Sequence, residues 1–241
     1  MTTRMDARGR SLGMAALATA LITTPAAHAA SGQVTGHPVP PGTAGPGAAV
    51  TTLKPVTIAA RLRGRSPRHL LRGARVRVGG TLGPGLAGRT VRFEVRRARH
   101  WAPVHRARTG DGGRFRASWR PRLTGRFRLR LRFAGDGLNA AAERRIPGRI
   151  YVYRASQASW YGPGLYGGGL ACGGRLHPGT LGVAHKTLRC GTRVTFRYRG
   201  RSVTVPVVDR GPYVAGREWD LTGATKARLR FPSTGTVWST H

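Results

Sequence analysis

Acidic side chains are almost missing from this sequence. Eight Asp and Glu stand against 42 Lys and Arg in 241 residues, a formal charge of +34. Carboxylate chemistry must therefore come from very few positions. Cysteine is nearly absent, with Cys172 and Cys190 as the whole supply. Beyond the first thirty or so residues no apolar run is long enough to cross a bilayer, which excludes a later transmembrane helix. No Cys follows that leader, so lipid attachment there is excluded and no membrane anchor is expected. A phosphate cradle is also lacking: Gly162, Gly164 and Gly167 to Gly169 have no Lys-Ser/Thr pair and no strand–loop–helix frame. Ser159 and Ser202 lack the partners of a nucleophilic triad.

Positive charge is what the chain has in excess, nearly all of it Arg. Nucleic acid, an anionic membrane surface and an anionic cell-wall polymer would each attract it. A coding bias that fills solvated positions with Arg explains it equally, because the Arg residues are spread over both halves. The N-terminus predicts the compartment. Arg4, Arg8 and Arg10 precede an apolar run from Leu12 to Ile22, and Ala27-His28-Ala29 is a small-x-small cleavage site, so residues 1–30 read as a signal peptide. The mature protein is expected to be secreted, extracellular or at the cell wall, where a specific nucleic-acid partner is not expected. In an oxidising compartment Cys172 and Cys190 read as a disulfide. The rival is a metal site made of Cys172, His177, His185 and Cys190, whose spacing lacks the paired grouping of zinc sites.

Residues 31–54 are rich in Gly, Pro, Thr and Ala without hydrophobic period and read as a linker. Residues 55–153 carry short segments alternating apolar with Arg, of which Gly125-Arg126-Phe127-Arg128-Leu129-Arg130-Leu131-Arg132-Phe133 is the clearest. Such alternation predicts strands with one packed and one wet face. Turn clusters at Gly83-Pro84-Gly85, Thr109 to Gly113 and Ala134 to Gly137 separate them, so an antiparallel β-sandwich is expected. The segment resembles bacterial immunoglobulin-like modules. Its Arg-coated face could grip an anionic wall polymer or be simply solvated. Glu94, Asp111, Asp136 and Glu143 are expected at exposed strand or turn positions.

Residues 154–241 change texture, with glycine-rich loops between strands. Arg193 to Tyr198 and Ser202 to Val208 predict a hairpin, and Thr222 to Leu229 a short helix capped by Asp220 or Thr222. Few helices and many short strands imply a small, closed or nearly closed barrel. Only Asp209, Glu218 and Asp220 are acidic here. Asp209 leaves an apolar strand into an Arg-Gly-Pro turn, where it could stay protonated as a general acid or simply bond its own turn. Asp220 reads as a cap or a partner for backbone N–H groups, and Glu218 as a solvated residue. His185 is either a structural histidine or a group that holds a sugar oxygen or orients Asp209. Trp160, Tyr161, Tyr166 and Tyr213 could stack on sugars or plug the barrel.

Ala158-Ser159-Trp160-Tyr161-Gly162-Pro163-Gly164, Ala184-His185-Lys186-Thr187-Leu188, Cys190-Gly191-Thr192-Arg193-Val194, Val207-Val208-Asp209-Arg210-Gly211-Pro212-Tyr213 and Trp219-Asp220-Leu221-Thr222 occur in one order. In that order they resemble the rare lipoprotein A family, the septal-ring lytic transglycosylases. The resemblance covers roughly Ala155 to Phe231 and implies an all-β chain: a six-stranded double-psi β-barrel, related to expansin and barwin domains, after an immunoglobulin-like sandwich. It also implies a peptidoglycan lytic transglycosylase. Asp209 matches the catalytic aspartate and His185 the essential histidine, with Asp220, Trp160, Tyr161, Tyr213 and Thr187 supporting the substrate groove. One carboxyl suffices when the muramic 6-hydroxyl closes on C1, whereas ordinary glycosidases need two. The expected partner is a peptidoglycan glycan strand, met by a monomer without cofactor or metal. The sequence departs from better-known members in lacking the lipid-attachment Cys and a C-terminal peptidoglycan-binding repeat, and in adding the Cys172–Cys190 pair. The cysteines lean toward expansin-like relatives, many of which bind or loosen polysaccharide without cutting it.

Overall fold

The computed structural model describes residues 52–63 and 67–241. The expected signal peptide and nearly all of the expected linker lie outside the described residues. The described residues form one compact unit.

The first half is a two-sheet β-sandwich. Strands β1 (Thr57–Arg63), β3 (Val76–Gly83) and β6 (Arg114–Trp119) form one antiparallel sheet, in the order β1-β3-β6. The facing sheet runs β5 (His100–Arg108), β4 (Thr90–Arg97), β7 (Gly125–Phe133) and β8 (Ala142–Tyr161), with β2 (His69–Leu71) parallel beside β8. The alternation read from sequence sets the layers. Val76, Val78, Leu82, Phe115 and Ala117 of one sheet meet Val91, Phe93, Leu129, Leu131, Ile150 and Val152 of the other in a single core. The intervening arginines face outward, so a one-residue slip in register would put charge into that core.

Two acidic residues of the sandwich do more than the sequence suggests. Glu94, expected to be exposed, is buried at 4%. Its carboxylate accepts from Arg130 Nε at 2.6 Å, and the Arg130 guanidinium lies 4.5 Å above the Trp101 ring. The Trp101 and Arg130 side chains thus cover an outward-facing residue, and the ion pair compensates its desolvation. Asp136 ties its turn together: Oδ1 accepts from the N–H groups of Leu138 and Asn139 at 3.0 and 2.9 Å.

The second half is a closed six-stranded barrel. The ring runs from the C-terminal half of β8 to β12 (Trp219–Thr222), β9 (Val183–Ala184), β11 (Arg201–Asp209), β10 (Arg193–Tyr198) and β13 (Gly235–Ser239), which pairs back with β8. Parallel pairing of β12 with β8 completes it, so no edge remains unpaired. The predicted hairpin is present, with Arg199 and Gly200 both at positive φ, as a two-residue turn requires. Helix α1 (Gly223–Leu229) is capped by Thr222, whose Oγ1 accepts from Thr225 N, so Thr222 and not Asp220 is the cap. Val183, Val194, Phe196, Val205, Val207, Trp219, Leu221 and Leu229 fill the barrel. Strand β8 belongs to both halves: Phe127 and Gly125 pair with its Ile150 and Val152, and Ser239 pairs with Arg154.

Candidate active site

The closure pattern of the barrel brings two aspartates to one face. Ala184 of β9 is the registered partner of Asp209 on β11 and of Asp220 on β12. Directly paired residues point to the same side of a sheet. The two carboxyls therefore flank a methyl group, on strands about 9.5 Å apart. Asp220 is in turn registered with Ser159 of β8, and Tyr161 follows two residues later on the same face. The ladder is irregular between Val207 and Asp209, a feature that re-aims side chains beside functional sites.

Each group in this set is held differently. Asp209 Oδ1 accepts from the N–H of Ala171 at 2.9 Å and of Arg210 at 2.8 Å. Ala171 belongs to the glycine-rich loop after β8, and its neighbour Cys172 donates its own N–H to Val208 at 3.1 Å. Asp220 Oδ1 accepts from Ser159 Oγ at 2.8 Å. Burial raises the pKa of Asp220, with the nearby Asp209 adding to the rise while Ser159 and Arg217 oppose it. The Tyr161 hydroxyl is buried and has no hydrogen-bond partner among the described residues. It faces the Asp209 carboxyl without hydrogen-bond geometry, and burial, then Asp209 and Asp220, push its pKa up. An unsatisfied hydroxyl beside two carboxyls is a polar position that a water or a bound oxygen would complete.

His185 occupies the adjoining corner. Its Nδ1 accepts from the N–H groups of Thr187 and Leu188, both at 3.1 Å, which leaves Nε2 to carry the proton. The ring packs 4.5 Å from Trp219, and Nε2 lies 3.9 Å from Glu218 Oε1. Burial lowers the pKa of His185, partly offset by Glu218. The imidazole makes no hydrogen bond to Asp209; the connection runs through the main chain, where the His185 N–H donates to the Asp209 carbonyl at 3.1 Å. Arg210 reinforces it by donating to the carbonyls of His185 and Leu188 at 3.3 and 2.9 Å.

The remaining expected residues are dispersed. Thr187 contributes its backbone N–H and is otherwise exposed. Trp160 looks toward α1, with Lys226 Nζ 3.9 Å above its ring, and Tyr213 is 82% exposed on the turn after Asp209. Cys172 and Cys190 form a disulfide, so the Cys–His metal alternative loses both thiolates. Glu218, expected to be solvated, is half-buried and paired with Arg154, whose Nη1 donates to Oε2 at 2.7 Å. Arg154 and Glu218 are the residues that sequence reasoning missed. The scarcity of acids in this half was the available signal, since each of three carboxylates had reason to be used.

Residues 153–238 match the family model described as lytic transglycolase. The C-terminal domain is thus similar to the lytic transglycolase family. Over 98 residues the chain is 42% identical to the probable endolytic peptidoglycan transglycosylase RlpA of Synechocystis sp., covering 40% of this chain and 28% of that protein. It is 41% identical over 82 residues to the endolytic peptidoglycan transglycosylase RlpA of Campylobacter jejuni, covering 33% of this chain and 30% of that one. Against the RlpA protein of Neisseria meningitidis serogroup A it is 34% identical over 114 residues, covering 42% of this chain and 48% of that one. The chain spans less than half the length of each of these relatives. Both carboxyls, Tyr161 and His185 fall within the matched residues.

Proposed function

We propose that this chain is a secreted peptidoglycan lytic transglycosylase, acting on the bond between N-acetylmuramic acid and N-acetylglucosamine and leaving a 1,6-anhydro end. The observation that carries the reading is the Asp209 carboxyl. Two backbone N–H groups fix its Oδ1, while Asp220 and the unpartnered Tyr161 hydroxyl share its face. One oxygen is anchored and the other is left for substrate, as a positioned acid–base group requires.

In this reaction protonated Asp209 gives its proton to the glycosidic oxygen as the C1–O bond breaks. The resulting carboxylate then takes the proton of the muramic 6-hydroxyl while O6 bonds to C1. The proton returns to Asp209, no water is consumed, and one carboxyl serves both halves. Tyr161 donates to a sugar oxygen between the two carboxyls. His185 acts as a positioning residue: its ring organises the turn at Thr187 and Leu188, and its N–H fixes the Asp209 carbonyl. Glu218 and Arg154 hold that ring from the other side. The test is Asp209→Asn against isolated glycan strands. Loss of product with retained wall pull-down supports the assignment; unchanged turnover refutes it. A wild type that binds wall but yields no product favours the non-catalytic, expansin-like alternative, toward which the disulfide leans.

A further inference from the structure

We infer that the outer face of the three-stranded sheet is a binding groove for a linear phosphodiester polymer of the poly(glycerol phosphate) kind. The groove is separate from the barrel and independent of glycan cleavage. Its shape follows from register. Across the outer face one row reads Arg61–Gly79–Arg116 and the next Ala59–Thr81–Arg114. In these rows the central strand presents Gly79 and Thr81, flanked by Arg61, Arg114 and Arg116 with Ala59 at the open corner, and the adjoining row, Arg63–Arg77–Ser118, closes the lane with Arg77; the flanking strands lie about 9.5 Å apart and the rows about 6.6 Å apart. A cavity of about 820 Å³ lies on this lane, lined by Arg61, Arg63, Arg108, Arg114 and Arg116 over Gly79 and Thr81.

The floor is more than a charged surface. A Cβ at Gly79 would lie 2.2 Å from Arg63 Nε and 2.9 Å from its Nη2, so the missing side chain is what lets that guanidinium lie across the groove. Gly79 has no positive φ, so the turn freedom of glycine does not explain its presence. None of the five lining arginines makes a salt bridge among the described residues, whereas Arg89, Arg130, Arg145 and Arg154 do. Guanidinium groups repeated at a fixed interval fit anions repeated at a fixed interval, and each fork can take a phosphate with two hydrogen bonds. One row spacing is comparable to one extended glycerol phosphate unit. A single-stranded nucleic acid would need aromatic platforms for its bases. The only aromatic residue lining the cavity, Phe115, is buried in the core.

The test uses the full chain and synthetic poly(glycerol phosphate), with affinity measured by calorimetry at fixed ionic strength. Gly79→Val leaves the charge unchanged but fills the floor and displaces Arg63, and is expected to weaken binding roughly tenfold. Arg61→Gln with Arg116→Gln should do at least as much. The control is Arg92→Gln with Arg132→Gln, a registered pair of exposed arginines on the other sheet that removes the same charge. It should cost less than about twofold, because exposed charges act weakly and diffusely. If Gly79→Val proves poorly folded, Arg63→Gln on an exposed side chain carries the same question. Equal losses from the two arginine pairs, or unchanged binding in both Gly79→Val and Arg63→Gln, overturn the proposal in favour of diffuse charge attraction. Tighter binding to single-stranded DNA of equal charge overturns it in favour of a nucleic-acid partner.

Discussion

Removing the disulfide should loosen the catalytic corner and the whole fold together, by an amount that loop length sets. Cys172 and Cys190 close a loop with a sequence separation of 18. In the chain-entropy model such a cross-link stabilises by about 3 kcal/mol. For a chain of this size that corresponds to a fall in Tm of roughly 6–12 °C. The local effect is specific. Cys172 N donates to the Val208 carbonyl at 3.1 Å and Gly191 N to the Val207 carbonyl at 2.8 Å, so both ends of the bridge clamp the last turn of β11 before Asp209. The Ala171 N–H that fixes Asp209 lies one residue from the bridge. The variant is Cys172→Ser with Cys190→Ser, compared with the oxidised parent by urea unfolding. The intrinsic fluorescence includes Trp219, which is fully buried in the barrel. A loss below about 1 kcal/mol would refute the entropic argument, and full activity in a destabilised variant would refute the link to Asp209.

The other predictions concern protons and the orphan hydroxyl. Burial lowers the pKa of His69, His185 and His241, so the folded state prefers them neutral. The stability this gives is present above the unfolded value near 6.5 and is lost as pH falls through the lower folded values. Thermal melts should therefore show Tm falling from neutral pH toward about 5, with a shallower slope in His185→Asn; a flat or rising Tm would contradict this. Asp220 works in the opposite direction, since a raised carboxyl pKa means that ionisation opposes folding at neutral pH. Asp220→Asn should thus hold or raise the Tm at pH 7 while lowering turnover, and a clear loss of stability would show that the carboxylate is a structural anchor. Tyr161→Phe removes a buried hydroxyl that has no partner, so unfolding should change by less than about 0.5 kcal/mol while turnover falls. A large loss of stability would show that the hydroxyl has a partner in solution.

Much of the fold was legible because its signals are local. Alternation of Arg with apolar residues in Gly125–Phe133 places every second side chain in the core, and the observed β7 has the same limits. The Arg199-Gly200 turn and the α1 cap depend on backbone preferences that a short window displays. The resemblance singled out Asp209, Asp220 and Tyr161, but the face they share was not legible. It depends on Ala184 lying between two strands distant in sequence, a consequence of barrel closure that no window contains. Glu94 and Glu218 were misread for a related reason. Alternation marks a position as outward-facing, yet it cannot show that Trp101 and Arg130, or Arg154, will fold over it. Trp160, read as a groove residue from its aromatic ring and the resemblance, lies on the strand face opposite to Tyr161 and meets Lys226.

The central claim is that Asp209 drives intramolecular closure of the muramic 6-hydroxyl and not attack by water. The direct measurement is a digest of glycan strands in heavy-oxygen water, with products read by mass spectrometry for wild type and Asp209→Asn. The account predicts anhydro ends, lighter by one water and free of heavy oxygen, from the wild type and none from Asp209→Asn. Products that carry heavy oxygen at the new reducing end, or anhydro ends that persist in Asp209→Asn, would contradict it.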